Sequence, residues 1–140
     1  FRANIFAMNG GFYSEYIAYS EDNEWCWRIQ GKHGKLLYVP KAIMWHHLSA
    51  SLKKNTYRKN ESGTSSLAWY LLTRNNLWTT RHHARPITKK LLALMISVFL
   101  SIKVMFLCLM KGDGHKVSSL GKGIWHGLFK KLPAQLKSFL

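Results

Sequence analysis

The chain has 140 residues, 47% apolar and 14% aromatic, with 21 Lys and Arg against 6 Asp and Glu and a net charge of +15. That apolar content excludes a disordered tail, and the length suits one globular domain or part of a larger one. Cys26 and Cys108 stand far apart in no ligand-like spacing, which argues against a disulfide framework or a cysteine zinc site and suits a reducing compartment.

The acids are clustered. Glu15, Glu21, Asp22 and Glu24 lie within ten residues, and only Glu61 and Asp113 follow them, so the chain after Trp25 is strongly basic. Such a balance suits phosphate-bearing partners: nucleic acid, an anionic membrane face, a sugar nucleotide or a lipid pyrophosphate. An acidic cluster within a basic chain is a place for chemistry. No signal peptide opens the sequence, and Phe1-Arg2-Ala3 reads as a cut into something longer.

In chain order, Asn9-Gly10-Gly11 predicts a tight loop where backbone can approach a ligand. Ser20, followed by Glu21, Asp22 and Glu24, predicts a helix start with a capping hydroxyl and acids in the first turn, running to about Gln30 and broken at Gly31. At 3.6 residues per turn, Asp22 shares a face with Trp25, Cys26 and Ile29, which points it to the core side and turns Glu21 away. The acids equally suit plain helix capping.

Apolar runs at 35–39 and 42–45, on either side of Pro40, predict two extended segments, the second ending in His46-His47. Alternation along a strand sends the two histidines to opposite faces, so only one can enter a given site; imidazole there suits a divalent metal, although a His-His pair is more often an ordinary feature. Residues 48–66 are polar and predict a loop. The spacing of Leu67, Tyr70, Leu71 and Trp78 predicts a helix over 66–80, stopped by Pro86. The apolar stretch 91–110 is long enough to cross a bilayer but carries Lys103. After a turn at Lys111-Gly112-Asp113-Gly114, the stripe Leu120, Ile124, Trp125, Leu128 and Phe129, flanked by Lys122, Lys130 and Lys131, suits a helix on an anionic membrane surface.

The order of these elements is more specific than any one of them. Gly10-Gly11-Phe12, then Tyr19-Ser20-Glu21-Asp22-Asn23-Glu24-Trp25-Cys26-Trp27-Arg28, then Gly34, Tyr38-Val39-Pro40-Lys41-Ala42, Trp45-His46, and Tyr70 with Arg74-Asn75 resemble the C-terminal half of family 2 glycosyltransferases, particularly bacterial rhamnosyltransferase-like members. The resemblance implies an α/β fold, the C-terminal fragment of a GT-A fold, with residues 1–86 as its acceptor and catalytic half and 87–140 as a helical, basic, membrane-associated tail. It implies inverting transfer of a sugar from a nucleotide-sugar donor to a glycan or lipid-linked acceptor. In that reading Asp22 is the base, beside Glu21; Gly10, Gly11 and Trp45 line the acceptor side; His46 joins a divalent cation, Mg2+ or Mn2+. The expected place is the cytoplasmic face of the inner membrane, peripheral or crossing once. Tyr13-Ser14 replaces the Asp-Glu that usually follows Gly-Gly-Phe, and the nucleotide-binding half is not in this chain, so this piece alone is not expected to work as an enzyme.

Two other classes compete. A basic nucleic-acid-binding module explains the charge and aromatics, but no helix-turn-helix, RNP-like motif or zinc spacing supports it, and no nucleic-acid partner is expected. A non-catalytic membrane-anchoring subunit explains the tail alone.

Overall fold

A computed structural model describes residues 3–32, 35–45 and 65–131. Its elements are α1 (Ala3–Asn9), a single 3-10 turn (Ser14–Tyr16), α2 (Glu21–Lys32), α3 (Ser66–His83), α4 (Ile87–Met110) and α5 (Gly114–Phe129). Among the described residues there is no strand and every element is helical, which overturns the expected α/β, GT-A-like architecture. The segments 35–39 and 42–45, expected as two extended runs, carry no regular element, make no ladder among the described residues and lie exposed, Tyr38 and Trp45 at 90% each. Between them the Ala42 N–H reaches the Val39 carbonyl at 3.0 Å, closing a turn over Pro40. Alternation and β-branched residues favour extended backbone, but a strand exists only where a second segment takes its N–H and C=O groups.

Local signals set the helix ends. Ser65 caps α3, its hydroxyl accepting the Ala68 N–H at 3.2 Å, and the helix ends before Arg85-Pro86. Asp113 caps α5, accepting the Lys116 N–H at 3.1 Å and pairing with the Lys116 ammonium at 2.9 Å. These bonds hold the Asp113 carboxyl below its usual range.

Helices α3 and α5 pack side by side and parallel. Gly123 and Gly127, one turn apart, let the backbones touch: a methyl on Gly123 would lie 3.0 Å from Thr73 Cβ and the Tyr70 carbonyl, and one on Gly127 only 2.7 Å from Leu77. Trp78 Nε1 donates to the His126 carbonyl at 3.2 Å, and Arg81 Nη1 donates to the Gly127 and Lys130 carbonyls, closing the C-terminal end of α5. Short connections bring α4 back antiparallel to both.

Helix α4 is long and apolar enough to cross a membrane, and none of its residues is buried. It begins at Ile87, a turn before the expected start. Ser97, Ser101, Val104 and Cys108 recur every three to four residues as a half-buried inner stripe, while Met95, Phe99, Phe106 and Met110 face outward and are mostly exposed. Between α3, α4 and Leu120 of α5 a half-open groove encloses about 190 Å3, walled by Trp69, Leu72, Leu100 and Val104.

Candidate functional site

The site is built on α2 and the loop before it. Residues Glu24, Trp25, Arg28 and Ile29 form the buried face of α2, spaced three and four apart. Asp22 is exposed, and its Oδ1 accepts the Asn23 N–H at 2.8 Å. Glu21 turns the other way and is half-buried, with Oε2 enclosed and without a hydrogen-bond partner among the described residues. The expected orientation is therefore reversed. The helical offsets were right, but the core stripe runs through 24, 25, 28 and 29, one position off the line through Asp22 and Cys26. Cys26 is half-buried, and burial raises its thiol pKa, helped by the Asp22 carboxylate.

At the heart of the buried face, Glu24 is fully enclosed. Arg28 donates to its Oε1 from Nε at 3.2 Å and to its Oε2 from Nη2 at 3.0 Å, and His83 Nε2 of α3 meets the same Oε1 at 3.1 Å. The same guanidinium reaches the carbonyls of Asn9 and Gly11, the latter at 2.9 Å, and stacks 4.3 Å from the Tyr13 ring. Trp25 Nε1 adds a bond to the Gly10 carbonyl at 3.1 Å. Three successive carbonyls of the glycine loop are thus held by two side chains of α2.

The loop needs its glycines. Gly10 has φ +68°, open to glycine at no steric cost, and a methyl on Gly11 would meet the Phe6 ring at 2.9 Å. Phe6, Phe12 and Trp25 pack around it with ring centres about 6 Å apart, leaving Phe12 half-exposed. Trp27, also half-exposed, stacks on His83.

From α3, Arg74 and Asn75 hold the next stretch of loop. The Asn75 amide points at the carbonyls of Tyr16, Ala18 and Tyr19 at 3.0, 2.9 and 2.7 Å, and Arg74 Nη2 donates to the Glu15 carbonyl at 2.8 Å. Arg74 lies over Trp78 at 4.4 Å. This stretch carries Ile17, Tyr19 and Ser20 at positive φ, 64°, 67° and 66°, a conformation that side chains resist and the surrounding bonds must impose. Ser20 Oγ donates to Asn76 Oδ1 at 2.6 Å, and the Ser20 carbonyl accepts the Glu24 N–H, so the strained loop feeds directly into the first turn of α2. Tyr16, wholly buried, pairs with Thr79 at 2.9 Å, and burial pushes its phenol well above the usual range.

Among the residues expected from sequence, Gly10 and Gly11 are held by the buried face of α2, while Asp22 is exposed in its first turn and Glu21 points elsewhere. Trp45 lies in the exposed segment 42–45, and His46 and His47 lie outside the described residues. The described residues contain no group of three His, Cys, Asp or Glu suited to a metal. Glu24, Arg28 and Asn75 enter the sequence reading as part of the resemblance, with no site role, and His83 has none either. The i,i+4 spacing of Glu24 and Arg28 is a sequence signal, but it reads as a surface pair until α3 is known to cover it.

The chain matches no protein-family model, no curated protein and no solved structure.

Proposed function

We propose that this chain is the acceptor-side part of an inverting glycosyltransferase of the family 2 kind, acting at the cytoplasmic face of a membrane on a glycan or lipid-linked acceptor. One observation carries the reading: the residues behind the sequence resemblance, at 10–28 and 70–75, are neighbours in space, and Asp22 stands open to solvent where their shared loop enters α2. The proposal needs no α/β sheet in this chain, since helices and a strained loop position the acid.

In this reading the acceptor hydroxyl lies against Asp22. The carboxylate takes its proton as the oxygen forms a bond to the anomeric carbon of the donor. The bond from that carbon to the nucleotide diphosphate breaks on the opposite face, and the electron pair leaves with the diphosphate. Phe12 and Trp27 offer exposed ring faces to the apolar side of a glycan. The divalent cation that the resemblance implies, with His46 as its expected ligand, would supply positive charge to the departing diphosphate.

The test is Asp22→Asn in an enzyme containing this chain together with a donor-binding half. The amide keeps the shape and loses the proton affinity, so the transfer rate falls at least tenfold, about 1.4 kcal/mol of barrier, while donor affinity holds. A variant retaining more than a tenth of the rate removes Asp22 as the base.

A further inference from the structure

We propose that the groove between α3 and α4 holds a hydrocarbon chain of a membrane lipid, with the polar end of that lipid lying at the start of α2. The position of the chain follows from the groove itself, whereas a role for the polar end as the sugar acceptor rests on the glycosyltransferase reading.

Three observations converge. The half-open groove has a volume of about 190 Å3, and its lining sets apolar Trp69, Leu72, Leu100 and Val104 beside polar Asn76 and Ser101. Within it the Ser101 hydroxyl is already bonded to the Ser97 carbonyl at 2.8 Å, which lowers the demand for water.

One wall of the groove is α4, the helix long and apolar enough to cross a membrane, and no residue of α4 is buried. With the outer face of α4 in hydrocarbon, the open side of the groove is continuous with the lipid. The neighbouring solvent is then acyl chain, and transfer of such a chain into the groove exchanges one apolar contact for another with better packing.

The groove ends next to the candidate acids. Asn76 lines it, and the Asn76 Oδ1 accepts the Ser20 hydroxyl at 2.6 Å, one residue before Glu21 and two before Asp22. A lipid seated with its chain along Val104 and Leu100 therefore carries its headgroup toward the first turn of α2.

The experiment uses the full chain in vesicles of phosphatidylglycerol and phosphatidylcholine, doped with a phosphatidylcholine bearing a diazirine near the end of one acyl chain. After photolysis, adducts are mapped by mass spectrometry. Adducts are expected on Leu72 and Val104 as well as on outward-facing Phe99 and Phe106. Ser101→Phe, which fills the groove, lowers the first pair about tenfold and leaves the second unchanged. Labelling confined to Phe99 and Phe106 in the unaltered chain overturns the proposal, because another occupant, such as a segment of this same chain, then fills the groove. That arm needs no variant to fold. Unchanged groove labelling in a folded Ser101→Phe variant overturns it equally. Groove labelling as expected, together with an Asp22→Asn variant that keeps its transfer rate in an enzyme containing this chain and a donor-binding half, removes the enzyme reading and leaves the lipid site standing.

Discussion

The Arg28 guanidinium meets the Glu24 carboxylate twice, from Nε at 3.2 Å and from Nη2 at 3.0 Å, and both side chains are buried. Because Arg28 also holds two carbonyls of the glycine loop, the pair links the core of α2 to the candidate acceptor side. Arg28→Met leaves a buried carboxylate with only His83 beside it and is expected to cost about 3–5 kcal/mol in urea denaturation. Adding Glu24→Met should recover much of that loss. If the double variant is no more stable than the single one, the penalty does not come from a stranded charge.

Ile17 gives a prediction with the opposite sign. It is 73% exposed, with φ 64° and ψ −61°, so it has little burial to lose and backbone strain to relieve. Ile17→Gly is expected to be neutral or to stabilise by about 1 kcal/mol, against the usual effect of introducing glycine. A clear drop in the melting temperature would show that the loop does not need that conformation.

The glycines of α5 should divide into two classes. Gly127→Ala and Gly123→Ala push a methyl into α3 and are expected to destabilise by about 1–3 kcal/mol, Gly127 more because its contacts are 2.7 Å rather than 3.0 Å. Gly121 has nothing within 4 Å, so Gly121→Ala should stabilise by up to about 1 kcal/mol through helix propensity. Thermal unfolding followed by circular dichroism checks all three.

Stability should also depend on His82. Burial, with the neighbouring His83 charge, pushes its pKa down from 6.5 to about 4, and its Nδ1 is enclosed without a partner among the described residues. Between those values the unfolded chain binds a proton that the folded chain refuses. Its contribution is therefore complete above about pH 6.5 and falls as the pH drops toward 4, by up to about 3 kcal/mol. His82→Phe should flatten that part of the stability-pH profile by one proton. An unchanged slope places the titration elsewhere.

The helices were legible because their signals are local: Ser65 and Asp113 as caps, the stripe in α3, the apolar run of α4. The 3–4 spacing on α2 was legible too, but the side on which the core lies was not. That choice needs α3, whose His83 arrives 59 residues after Glu24 and shares its Oε1 with Arg28 Nε. Asn75 is similar, since its partners are carbonyls, which no sequence pattern marks. At 35–45 composition favours extended segments, and whether a partner strand comes alongside is a question for the rest of a fold, so the sheet that the resemblance implied had no partner written in these residues.

The parallel alignment of α3 with α5, and the return of α4 between them, gives the helical layer two unlike ends. Arg81 touches the Lys130 carbonyl, and Arg85 and Lys90 both act on His82, so Arg81, Arg85, Lys89, Lys90, Lys130 and Lys131 gather at one end with Glu24 as the nearby buried acid. Packing so many like charges together opposes folding in water, and an anionic bilayer surface laid against them relieves the repulsion. The molecule is thereby given a sidedness: its basic end belongs among headgroups, and by linkage the fold should melt higher with phosphatidylglycerol vesicles than with phosphatidylcholine alone, a difference that fades as salt is added.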